Sequence, residues 1–338
     1  MKKTLLTILQ IAVTVAILWF IFKDPVKRAE MADAVSQAKI EWLIAAVAAI
    51  GVVVVAGSLR WWILLRVQDI ILPKTRIFAL FMIGLFFNFL MPGGTGGDVI
   101  KIFYLLRETP GKKTGAVLAT LIDRVVGLLG LILVAAVVMP FKYGTLVAGA
   151  SPTRMGMIYS FFFIVGAALS GMGFASLVSK FNLAEKLPAK FPGRAGIVDL
   201  AIAFNAYAKH WPTTLVALLL SAVVHLATFM AFYFAALALS VREPIVDFFS
   251  VMPIVQTLAS MPISLSGIGV RELVFKEFLP ASLAAKRELI GTIGYLATLV
   301  WGLFGGIAFL LYRKNNDASL SQMENEVEAL EKKIADAP

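Results

Sequence analysis

Two stretches decide how this chain folds. Residues 88–101 read Asn88-Phe-Leu-Met-Pro92-Gly93-Gly94-Thr95-Gly96-Gly97-Asp98-Val-Ile-Lys101. Residues 261–272 read Met261-Pro-Ile-Ser264-Leu-Ser266-Gly267-Ile-Gly269-Val-Arg271-Glu272. Each interrupts an apolar run with proline and glycines, then resumes as a helix that opens on charge. The limbs that follow, Val99–Leu106 and Val270–Leu279, have roughly ten residues, near 15 Å of helix, about half a bilayer. The expected form is a helical hairpin that enters the membrane, turns at depth and returns. Two interfacial loops between short helices are the alternative.

The surrounding sequence requires a bilayer. Of 338 residues, 59% are hydrophobic, and the mean hydropathy is +0.86, well above soluble domains. Full spans are expected at 4–22, 40–64, 114–139, 153–178, 213–239 and 288–312. The first reads as an uncleaved span, since no small-residue cleavage site follows it. The fold class is therefore all-α and polytopic, with six spans and two hairpins (75–107 and 247–279).

Charge placement orients these elements. Arg66, Lys74, Arg76, Arg107, Lys112 and Lys113 flank both ends of the first hairpin, a cytoplasmic signature. Lys180, Lys186, Lys190, Arg194 and Lys209 lie in a second such loop, and Arg313-Lys314 follow the last span. Arg242, Glu243 and Asp247 fall on the opposite side, where the second hairpin opens. Both termini are thus expected in the cytoplasm of a bacterial cell, and the chain in its inner membrane. The resulting divisions are 1–39 (first span and external loop), 40–139 (repeat 1), 140–212 (linking helix and basic loop), 213–312 (repeat 2) and 313–338 (amphipathic tail). Repeats 1 and 2 have opposite orientation, the pattern of many secondary transporters. In the tail, Leu320, Met323, Val327, Leu330 and Ile334 keep heptad spacing, suiting a surface helix or a small dimerising coil.

The net charge of +10 reflects the positive-inside rule and anionic lipid, and nucleic acid is not an expected partner. With no cysteine, disulfides and thiolate chemistry are excluded. No nucleotide loop, zinc-protease motif or His-paired nucleophile is present, so neither an enzyme nor a cofactor is expected. Gly93, Gly94, Gly96 and Gly97 bare the backbone N–H groups of the first turn, and Asp98 starts the returning helix. Asp98 caps that helix, pairs with a mobile cation, or does both. Lys101 adds positive charge one turn on, and Asn88 is placed to hydrogen-bond the turn. Gly267, Gly269, Arg271 and Glu272 hold the equivalent place in the second unit. Asp123 and Arg124 lie within a span. Intramembrane charges are paired or face a polar cavity, and the pairings expected are Asp98 with Arg124 or Arg271, and Asp123 with Lys101. Arg60 reads as a snorkelling residue, His225 as a satisfied helix contact, and the tryptophans mostly as interfacial belts.

The first stretch, residues 121–128 (Leu-Ile-Asp123-Arg124-Val-Val-Gly127-Leu) and residues 264–272 together resemble the lysylphosphatidylglycerol synthase transmembrane-region family. It includes the flippase half of the bacterial multiple peptide resistance factor and small membrane-only proteins. The resemblance covers roughly residues 5–312. Lys101 departs from the arginine expected there, which removes a two-pronged phosphate contact. The resemblance implies ATP-independent lipid translocation, with membrane lipids, anionic or phosphate-bearing, as partners. It places no aminoacyltransferase domain after Arg313. A homodimer through the tail or the membrane helices is compatible with it. Two other readings remain: a non-transporting partner of a lipid-modifying enzyme, and a membrane-embedded lipid-phosphate transferase or phosphatase.

Overall fold

The computed structural model describes residues 25–90, 96–181, 194–261, 263–283 and 285–316, together with Trp19. Apart from Trp19, the expected first span (4–22) lies outside the described residues, as do Met91–Thr95 and the heptad tail. In chain order the helices are α1 (Pro25–Ser36), α2 (Ile40–Val67), α3 (Lys74–Leu90), α4 (Gly96–Glu108), α5 (Lys113–Val138), α6 (Tyr143–Val147), α7 (Pro152–Lys180), α8 (Arg194–Lys209), α9 (Trp211–Ala238), α10 (Ile245–Ser260), α11 (Val270–Phe278) and α12 (Lys286–Asn316). Among the described residues there is no strand.

Among the described residues, five helices are long and apolar enough to cross a bilayer: α2, α5, α7, α9 and α12. Backbone polar groups in hydrocarbon must be satisfied within their own segment, which long uninterrupted helices achieve. They coincide with five of the six expected spans. On α7 the apolar surface faces outward, with Phe163 77% and Phe174 68% exposed. Such a surface suits acyl chains and would be a liability in water. Two tryptophans depart from the expected interfacial role. Trp61 is fully buried and its indole N–H reaches Thr120. Trp301 donates to the Val47 carbonyl at 2.8 Å, tying α12 to α2.

The first interrupted stretch folds as a helical hairpin. At its open end Arg76, near the start of α3, meets Glu108, the last residue of α4, at 2.6 Å. At its turn the Gly97 N–H donates to Asn88 Oδ1 at 3.0 Å. Between them the backbones of Gly84 and Gly97 approach so closely that a Cβ on Gly97 would fall on the Gly84 carbonyl and 2.6 Å from Asn88 Oδ1. Only glycine permits this approach. In the second stretch α10 packs on α11 through a turn in which Gly267 and Gly269 take φ of 73° and 86°, a region that favours glycine.

Helix contacts come in matched sets. α2 packs along α9, α2 on α5 and α9 on α12. The first hairpin leans through α3 on α12, and the second leans through α10 on α5. Each hairpin also has its own apolar cluster. Around the first are Trp61, Leu80, Phe103, Tyr104 and Phe309; around the second are Phe229, Phe232, Phe248, Val274 and Phe275.

Gly97→Ala is expected to cost about 1–3 kcal/mol through overpacking, read as a lower unfolding temperature in detergent. An unchanged unfolding temperature would show that the turn has slack.

Candidate functional site

The first turn of α4 presents Asp98 and, one turn on, Lys101. The Asp98 carboxylate is shared: Lys101 Nζ lies 2.9 Å from one oxygen and Arg124 Nε 2.6 Å from the other. Lys101 is buried beneath the Trp61 ring, 4.4 Å from its centroid, so its charge is held by a carboxylate and an aromatic face. Arg124 is different, because its side chain is 44% exposed. It is the cation of this trio with room to move.

The second turn brings Arg271 to the same region. Its guanidinium donates to the Ser266 carbonyl at 2.7 Å and lies 4.6 Å from the Tyr295 ring centroid. No carboxylate among the described residues forms an ion pair with it. Glu272 turns the other way. It accepts from the Gly269 N–H at 2.7 Å and from Thr292 at 3.0 Å, capping its own helix. The two turns touch, since the Ser266 hydroxyl reaches the Asn88 carbonyl at 3.3 Å. This contact joins residues 178 apart in the chain.

Asp123 corrects an expectation. Its partner is Arg60, through Nε at 2.7 Å and a second guanidinium nitrogen at 3.1 Å, and not Lys101. Arg60 does not snorkel: its side chain is 11% exposed, and its remaining nitrogen donates to Ser221 at 2.9 Å. An arginine inside an apolar run was itself the available signal. Its partner could not be read, because the two residues lie on different helices. His225 behaves as expected of a helix contact. Its ring nitrogens meet Gln256 at 2.7 Å and the Gly127 carbonyl at 2.9 Å. Both partners are oxygens, Gln256 Oε1 and the Gly127 carbonyl, so the ring nitrogen that carries the proton donates to the one it faces.

These groups wall a cavity of about 540 Å³ between the two turns. Arg60, Lys101, Arg124 and Arg271 line it against Asp98 and Asp123, four cations to two anions. Its wall also holds the Ser264 hydroxyl, which is buried with no hydrogen-bond partner among the described residues. An orphaned buried hydroxyl is costly and is well placed to meet a ligand. Asn88 and Gly267 line the cavity too. Gly96, Gly97, Gly269 and Glu272 lie behind the wall, shaping the turns. Gly93 and Gly94 lie outside the described residues. Tyr295, Ser264 and Ser221 were not singled out from sequence, because uncharged polar residues in an apolar helix carry no periodic signal.

A bundle of apolar helices enclosing a charged cavity defines a multi-pass α-helical membrane protein. The family described as the lysylphosphatidylglycerol synthase TM region matches residues 7–282, and the chain belongs to that family. It is also similar to a UPF0104 membrane protein of Pyrococcus horikoshii, 24% identical over 93% of this chain and 98% of the relative. No solved structure matches.

Removing one partner of a buried ion pair leaves an uncompensated charge, at about 3–5 kcal/mol. Asp123→Ala is therefore expected to lower the unfolding temperature more than the double replacement Arg60→Met with Asp123→Leu. The opposite ranking would show that water reaches Arg60 freely.

Proposed function

We propose that this protein moves a phosphate-bearing lipid or lipid-linked headgroup across the cytoplasmic membrane without nucleotide hydrolysis. The observation that carries this reading is the central cavity, with its excess of two positive charges and a guanidinium that has no carboxylate partner among the described residues. Family membership supports it, since the family's name refers to the membrane region of an enzyme that makes a phospholipid. In this reading the hairpins re-enter the bilayer from opposite faces, as halves of an inverted repeat, and both termini are cytoplasmic. The matched helix contacts and the basic loops support that arrangement.

The chemistry follows from the pairings. A headgroup phosphate entering the cavity meets Arg271, whose planar donors suit phosphate oxygens. Ser264 adds a hydroxyl. Arg124, half-exposed, swings from Asp98 to the phosphate, and Asp98 keeps Lys101. When the lipid leaves, Arg124 returns to Asp98, so that carboxylate has a cationic partner at both stages. Asp98 is thus the holder of a mobile cation, and Arg60–Asp123 is the fixed pair beside it. The acyl chains stay in the bilayer while the headgroup passes.

The test is purified protein in liposomes with a panel of headgroup-labelled lipids. Asp98→Asn and Arg271→Ala are expected to keep their fold and slow transbilayer movement about tenfold or more, the weight of one charge-assisted contact. Wild-type movement by both variants would remove these residues from the mechanism. No movement of any labelled lipid by folded protein would reject transport of those lipids. The chain has no cysteine of its own, so Ser264→Cys also reports on depth. It is expected to label far more slowly with an impermeant thiol reagent than Thr145→Cys, and equal rates would place the second turn at the surface.

A further inference from the structure

A second polar cavity, of about 590 Å³, lies at the end of the bundle where α5 finishes and α7 and α12 begin. The Arg76–Glu108 pair is at the other end of α12, where Tyr312 reaches Glu108. The two places are separated by most of a span. Four cations (Lys142, Arg154, Lys276 and Arg287) and three carboxylates (Glu243, Asp247 and Glu277) line this cavity. Asp247 is held by Lys142 at 2.8 Å, and Glu277 accepts from Ser151 at 2.8 Å.

The two arginines are held differently. Arg154 donates to the Thr145 carbonyl at 2.9 Å, and Arg287 to the Lys276 carbonyl at 2.8 Å. Neither forms an ion pair with a carboxylate among the described residues. In both, Nε is buried and has no hydrogen-bond partner among the described residues. Backbone carbonyls thus fix two guanidiniums on one cavity while part of each donor set goes unused. Buried donors left so are costly, and an anion with several acceptor oxygens satisfies them.

An apolar groove of about 460 Å³ runs beside this cavity. Met139, Pro140 and Tyr143 form one wall, and Phe161, Phe162 and Val165 the other. The segment Pro140–Val147 separates the two spaces, giving Lys142, Thr145 and Leu146 to the polar cavity and Pro140 and Tyr143 to the groove. α7 runs past both. Arg154, Phe161 and Val165 share one face of it at helical spacing, with Phe161 about 10 Å along the axis from Arg154. A charged anchor at the membrane boundary, followed by an apolar trough running inward, has the layout of a phospholipid.

We propose that this corner is a second lipid site, in which Arg154 and Arg287 take the phosphate of a phospholipid and the groove along Phe161, Phe162 and Val165 takes an acyl chain. It stands whether or not the central cavity moves lipid. A lipid held here is at the boundary, beside the open end of the second hairpin.

The test is calorimetric titration of purified protein in non-ionic detergent, in an Arg271→Ala background that takes the central guanidinium out of the measurement. The probes are dioctanoylphosphatidylglycerol, dioctanoylglycerol and inorganic phosphate. The phospholipid is expected to bind most tightly. Arg154→Gln and Arg287→Gln are each expected to weaken it about tenfold or more. Ala136→Trp fills the groove from its exposed side and leaves the arginines in place. It is expected to weaken phospholipid binding and leave phosphate binding unchanged, and it decides the matter if an arginine variant fails to fold. Equal affinity for phospholipid and dioctanoylglycerol would overturn phosphate recognition. Phosphate binding as tightly as phospholipid would mark a site for free anions. Unchanged phospholipid binding in folded arginine variants, or in Ala136→Trp, would overturn the proposal.

Discussion

The Asp98 carboxylate, shared by Lys101 and Arg124, is the interaction on which the centre of this bundle depends. It is largely buried within a bundle of apolar helices, where a lone charge is expensive. Asp98 sits in the first turn of α4, where the helix dipole favours a carboxylate. That helix packs back along α3 because the Gly84–Gly97 approach lets α3 and α4 close into a hairpin. Lys101, buried under Trp61, fixes one side of Asp98. Arg124, half-exposed, reaches its other side from α5. Glycine packing, hairpin closure and charge placement are thus one arrangement.

Three kinds of ion contact serve three purposes. Arg60–Asp123 is a two-pronged buried pair braced by Ser221, and it locks α2, α5 and α9 together. Arg76–Glu108 is a more exposed pair that closes the mouth of the first hairpin, and surface pairs of this kind contribute little to stability. Arg271 rests on a carbonyl and an aromatic ring instead of a carboxylate. The first contact holds the scaffold, the second sets register, and the third places a positive charge on the cavity wall without a carboxylate beside it among the described residues. The arginines of the boundary cavity repeat this last device: Arg154 and Arg287 are also anchored by backbone carbonyls. Arg154 also stands 4.9 Å from the Phe278 ring centroid, as Arg271 stands against Tyr295.

The two polar cavities differ in what surrounds them. The central one is reached by both hairpin turns, and Phe81, Leu85, Phe89 and Leu128 line it together with its charges. The boundary one has an apolar groove alongside, as suits a lipid held whole. The outward-facing surface of α7, with Phe163 and Phe174, keeps this side of the bundle in contact with the membrane.

The membrane class, five of the spans and both interrupted stretches were legible in the sequence, because hydropathy and glycine or proline breaks are local properties. That Asp98, Lys101, Arg124 and Arg271 are paired or face a cavity was legible as well, since a charge in an apolar run must be accounted for. Asp98–Arg124 was one of two partners foreseen. The partner of Asp123 was foreseen wrongly and Arg60 was dismissed, because a side chain's lateral neighbours depend on how helices pack. Residues 60 and 123 meet only once α2 lies against α5. For the same reason Glu272, which reads as a twin of Asp98, turned out to be a cap. Length and hydropathy determine which segments cross the bilayer; only tertiary packing decided which charges meet, which face a cavity, and which groups remain without a partner.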